Sequence, residues 1–175
     1  MKKVALMIAL LAMSSPACAD RVQDLSMALR KATLSTCSYD VRGEPQSCVG
    51  WIKVSGSPIF NAYSKRGNIT LNRGLVDALN DDELAFVIGH EMAHAILGHN
   101  TPGHLGGVAA ELEADRYGVR FAMRAGYDPE AAVSVIKKGT LTWLLGFPFS
   151  LLSHPITGTR IKAIREAARE ELTGA

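Results

Sequence analysis

"NDDELAFVIGHEMAHAILGHN", residues 80–100, decides how the chain is read. It begins as a helix begins. Asn80 is a good N-cap, and Asp81, Asp82 and Glu83 fill the first turn, where acidic groups complement the helix dipole. Glu83 also stands where it completes a capping box. The helix is expected from about 81 to 98, ending near Gly98. Inside it, His90 and His94 are four residues apart, one turn along one face, so both imidazoles can reach a single cation. Glu91 follows His90 at about 100° around the axis, beside such an ion rather than on it. A carboxylate there can take a proton from a water that the ion activates. Zinc is the default ion, because it accepts imidazole and carboxylate in a tetrahedral set and a catalytic site keeps one position for water.

The third ligand is not His99. A metzincin needs Gly and His three and six residues after the second motif histidine, and those places hold Leu97 and Asn100. On a continuous helix His99 lies about 140° off the face of His94, which makes it a dipole-complementing or packing residue. A second helix, expected from about 108 to 125 and stopped by Gly126, offers acids instead. Glu111 and Asp115 share a face. Glu111 can bind the ion, and Asp115 can accept the free N–H of a ligand imidazole and set its tautomer. Glu113, about 200° round from Glu111, is expected to point away.

The N-terminus reads as a secretory signal over residues 1–19: Lys2 and Lys3, an apolar run from Val4 to Met13, and Ala17-Cys18-Ala19 before Asp20. That run is short for a membrane span. Export to a periplasm is the expectation, with anchoring as a lipoprotein through Cys18 as the alternative. Cys37 and Cys48 remain after the signal, and in an oxidising compartment such a pair forms a disulfide. Residues 20–175 hold 17 basic and 17 acidic side chains, and no basic stripe points to nucleic acid. They read as one domain. A helix is expected over Val22 to Leu34, then a polar loop over 37–50. Three β-prone runs, Trp51 to Val54, Ile59 to Ser64 and Asn68 to Leu71, read as a small meander. After the two central helices, a third starts at Asp128-Pro129-Glu130 and should end near Gly139, and a last one covers about 157–172.

Three stretches together resemble a known family. "NAYSKRGNITLNRGLVDALNDDELAFVIGHEMAHAILGH" (61–99) is similar to the region leading through the active helix of the HtpX/BepA-like peptidases, family 48 of the metallopeptidases. "ELEADRYGVRFAMRAGYDP" (111–129) is similar to their third-ligand helix, and "SHPITGTRI" (153–161) to their C-terminal His-Pro element. The resemblance spans about residues 51–170, with HExxH followed by ExxxD as in gluzincins. It implies one zinc ion on His90, His94 and Glu111, and Glu91 as general base. It implies a peptide strand paired with a sheet edge at Ile59 to Ser64, including Asn61 and Ala62. By the same analogy His154 stabilises the oxyanion or covers the open zinc position.

The expected fold is α+β and zincin-like, mostly helical with a small sheet beside the active helix. The expected activity is zinc-dependent hydrolysis of peptide bonds in proteins or peptides, in envelope protein quality control if the family role holds. The competing reading is a chaperone-like or adaptor protein with a silenced zinc site, for instance under a lid carrying His154 or His104; the intact Glu91 argues against it. Structural zinc would favour four protein ligands. Arg160 either holds a site carboxylate or caps the last helix. "LTWLLGFPFSLL" (141–152) can pack in the core, line the cleft or touch a membrane peripherally. Oligomeric state is left open.

Overall fold

The structure, a computed structural model, describes residues 16–33, 49–99, 107–144 and 157–174. The expected Cys37–Cys48 pair, His104 and His154 lie outside the described residues.

The first helix, α1 (Pro16–Thr33), buries Val22, Leu25 and Leu29, the stripe its spacing foretold. Among the described residues it already runs from Pro16, ahead of the expected Val22. Arg21 ties it to the body. Its guanidinium donates to Asp81 Oδ1 at 2.6 Å and to the carbonyls of Val76 and Leu79 at 2.9 and 2.8 Å.

Three strands follow: β1 (Ile52–Ser55), β2 (Ala62–Lys65) and β3 (Asn68–Asn72). They do not form the expected meander. The order is β1-β3-β2, with β1 parallel to β3 and β2 antiparallel to it. Burial explains the order. Ile69, Thr70 and Leu71 in β3 are all buried, as a central strand covered on both faces must be. β2 alternates, with Ala62 and Ser64 inward and Tyr63 and Lys65 outward, which suits an edge. Arg66 and Gly67, with φ of 51° and 77°, make the two-residue turn that joins β2 to β3, a hairpin turn that needs positive φ at both positions.

A short helix the sequence reading missed, α2 (Arg73–Ala78), follows β3 directly and buries Leu75 and Val76. The central helix, α3 (Asp81–Ile96), begins with the expected capping box: Asn80 Oδ1 accepts from the Glu83 N–H at 2.9 Å, and Glu83 accepts from the Asn80 N–H at 3.0 Å. Glu83 also receives Ser134 Oγ at 2.6 Å and Lys138 Nζ at 2.7 Å, which joins the start of α3 to α5 (Glu130–Leu144). α5 does not end at Gly139. One glycine inside a helix costs only about 1 kcal/mol, and the buried Val135 and Ile136 hold the preceding turn. α4 (Val108–Arg124) lies across α3, and α6 (Thr157–Thr173) lies against α4. The result is α+β, mostly helical with one small sheet. No helix among the described residues is long and apolar enough to cross a membrane.

α3 and α4 cross with their backbones in close approach. A Cβ on Gly89 would sit 2.8 Å from the Gly118 carbonyl oxygen; one on Gly118 would sit 2.8 Å from His90 N and 2.9 Å from His90 Cα. Two backbones meet where side chains would normally stand. Gly118→Ala must push the helices apart, and overpacking of this kind costs about 1–3 kcal/mol. Denaturant unfolding of Gly118→Ala should show that loss, whereas Gly158→Ala, where an added Cβ meets nothing within 4 Å, should be close to neutral.

Candidate metal centre

The close crossing sets three side chains around one point. His90 and His94 project from α3 and Glu111 from the first turn of α4. Their donor atoms all lie within 4.8 Å of one another. His90 Nε2 and His94 Nε2 are 3.0 Å apart; Glu111 Oε2 is 3.6 Å from the first, and Oε1 is 3.5 Å from the second. A tetrahedral ion with bonds of about 2.0–2.1 Å separates its ligand atoms by roughly 3.3 Å. The three spacings therefore bracket what zinc requires. Glu111 Oε2 is buried without a hydrogen-bond partner among the described residues, a position a polar atom rarely holds unless something else satisfies it. The donor set and this orphaned oxygen both fit a small divalent cation.

Charge supports the same arrangement. Burial alone would raise the Glu111 carboxyl, but the His94 hydrogen bond and the nearby His90, His94 and Arg160 hold it at about 2. It therefore stays an anion facing the two imidazoles. Burial pushes the Glu91 carboxyl upward, opposed by His90, His94 and the Ser64 backbone N–H. Glu91 is only 4% exposed. A carboxylate with a raised pKa is a better proton acceptor near neutral pH.

Ser64 belongs to β2, and its position matters. The Asn72 N–H donates to the Asn61 carbonyl at 2.9 Å, so Asn61 is a hydrogen-bonded partner of Asn72. Antiparallel pairs alternate, which makes Tyr63↔Thr70 bonded and leaves Ala62 and Ser64 with main-chain groups turned away from β3. Of the two edge residues read from the sequence, Ala62 faces the open edge, while the Asn61 carbonyl is engaged inside the sheet. Ser64, the last residue of the expected edge run but not singled out within it, is the second outward position.

The surroundings of the two histidines differ. His90 Nδ1 lies 3.1 Å from Asp115 Oδ1, close enough for strong attraction but not aligned as a hydrogen bond. Asp115 is wholly buried and is gripped by Arg160, whose Nε and Nη2 donate to its two oxygens at 2.6 Å each. Arg160 also reaches within 3.5 Å of Glu111 Oε2. Its role is thus to hold site carboxylates from α6. Asp115 lies beside His90, as the shared helix face foretold. On the other side, His94 Nδ1 meets His99 Nδ1 at 3.0 Å, and His99 Nε2 meets Glu113 Oε2 at 3.1 Å. Neither contact was legible. The helix reckoning assumed that α3 continues to residue 99, but it ends at Ile96, and Gly98 with φ of 72° folds His99 back onto His94. The glycine immediately before the histidine was the only available signal.

A model of Peptidase family M48 matches residues 41–109 and 106–168, well over half of the chain. The chain belongs to peptidase family M48. Over 69 residues, 38% of its length, it is 41% identical to a Homo sapiens protein described as "Metalloendopeptidase OMA1, mitochondrial" and 36% identical to the Bos taurus protein of the same description. The matched region spans 13% of each of those relatives. The family is one of peptidases, and both relatives are described as metalloendopeptidases.

Two outcomes follow from the charges of the M48 chain. Removing one member of a buried ion pair strands the other, at a cost of about 3–5 kcal/mol. Arg160→Met should destabilise the metal-free protein by that order, and Arg160→Met with Asp115→Leu should cost less than Arg160→Met alone, read by denaturant unfolding. The second concerns acid. A carboxyl held below its unfolded value adds stability above about pH 4, and that stability is lost as the pH falls toward the folded value. With Glu111 at about 2, the melting temperature of the metal-free protein should fall from pH 4 to pH 2, and less steeply in Glu111→Gln.

Proposed function

We propose that this M48 chain is a zinc-dependent endopeptidase of zincin-like build, with His90, His94 and Glu111 as the zinc ligands and Glu91 as the general base. The observation that carries the reading is the convergence of those three donors beside a buried carboxyl of raised pKa. Bound zinc would polarise the scissile carbonyl and make a neighbouring water more acidic. Glu91 takes the proton of the attacking water on a carboxylate oxygen and delivers it to the departing amine nitrogen. The Ser64 N–H holds that carboxylate in place until a substrate arrives.

The substrate is an extended peptide that adds to the free edge of β2. The outward main-chain groups of Ala62 support this, because strand addition draws binding from backbone groups and reads few side chains. Loose sequence preference follows, and it suits a protease acting on misfolded protein. A signal over residues 1–19 would export the chain to the periplasm, consistent with a role in envelope protein quality control; anchoring through Cys18 is the alternative. The intact Glu91 argues against a silenced adaptor.

The test is cleavage of casein by the purified protein. Activity should disappear with a chelator and return with zinc. Glu91→Gln should lower kcat by about two to four orders of magnitude while zinc content stays at one per chain, because a general base contributes about that factor. Unchanged turnover in Glu91→Gln would refute the mechanism.

A further inference from the structure

From one of the donors, His94, two further side chains continue an unbroken hydrogen-bonded line: His99 and Glu113. His94 and His99 are buried, 7% and 5% exposed, while Glu113 is half exposed at the far end. We infer that His99 is a positioning residue for His94, and that Glu113 sets the tautomer of His99. The inference rests on the zinc reading above, since it concerns how His94 presents its Nε2.

Proton counting carries it. Two ring nitrogens 3.0 Å apart can bond only if one bears a hydrogen and the other does not. An imidazole that binds a cation through Nε2 keeps its hydrogen on Nδ1. His94 is then the donor and His99 Nδ1 the acceptor. A neutral His99 must carry its own hydrogen on Nε2, where Glu113 Oε2 accepts it at 3.1 Å. Every hydrogen in the line has one placement, and the line ends on an anion. A ligand imidazole held by such a partner has both its tautomer and its ring plane fixed, and losing a partner of this kind typically lowers metal affinity about 10- to 100-fold.

The two ligand histidines are thus supported in different ways. His90 leans on a buried carboxylate clamped by Arg160, whereas His94 leans on a neutral ring backed by a half-exposed carboxylate. The His94 side is the one solvent can reach.

Zinc competition against a chromophoric chelator tests the inference, on wild type, His99→Ala, His99→Asn and Glu113→Gln. An asparagine oxygen can stand where His99 Nδ1 stood and accept from His94. His99→Ala should bind zinc about 10- to 100-fold more weakly, and His99→Asn should recover most of that loss. Glu113→Gln keeps an acceptor and should lose less than His99→Ala. Nitrogen-15 spectra of histidine-labelled, zinc-loaded protein give a readout that a packing role would not move: the His94 Nδ1–H should be protected from exchange in wild type and in His99→Asn, and exchange faster in His99→Ala. Equal zinc affinity and equal exchange in wild type and His99→Ala would overturn the inference while leaving the zinc site intact. Absence of stoichiometric zinc in the wild type would overturn the zinc reading, and the inference with it.

Discussion

Everything at the centre of this protein depends on how near two helix backbones come. Gly89 and Gly118 let α3 and α4 meet main chain to main chain. A larger residue at either position would move α4 outward, and Glu111 would move with it. The donor spacings of 3.0 to 3.6 Å leave little room for such a shift, because coordination distances vary by only about 0.2 Å. Small residues in the packing are therefore a condition of the chemistry as well as of the fold.

Around that crossing, each helix of the α4 side has an electrostatic task. α6 sends in Arg160, which neutralises Asp115 and stands near Glu111. One cation among two carboxylates and two imidazoles leaves the cluster anionic enough to favour a divalent ion, yet not so anionic that burial would reject it. Opposite, β2 brings the Ser64 N–H to Glu91. The sheet is small, but its edge strand stands beside the buried Glu91 carboxyl.

Much of α3 was legible because its signals are local. Asn80 and Glu83 lie within one turn, and their bonds depend on little beyond that turn. His90 and His94 share a face by helical geometry alone, and so do Glu111 and Asp115. The sheet was less legible. Its three runs were found to within a few residues, but a parallel β1–β3 pair cannot be told from a meander by alternation within each strand. What distinguishes them is burial of β3 on both faces, and that is a property of what packs around it.

Sequence alone determined the long central helices, the cap of α3 and the residues able to hold a cation, because each follows from spacing along one regular element. Only the tertiary structure decided which of those groups meet. Arg160 reaches Asp115 across 45 residues of chain, and His99 reaches His94 because a glycine ends the helix between them. Contacts of that kind depend on where separate elements cross and where the chain turns back, and no periodicity within one segment encodes them.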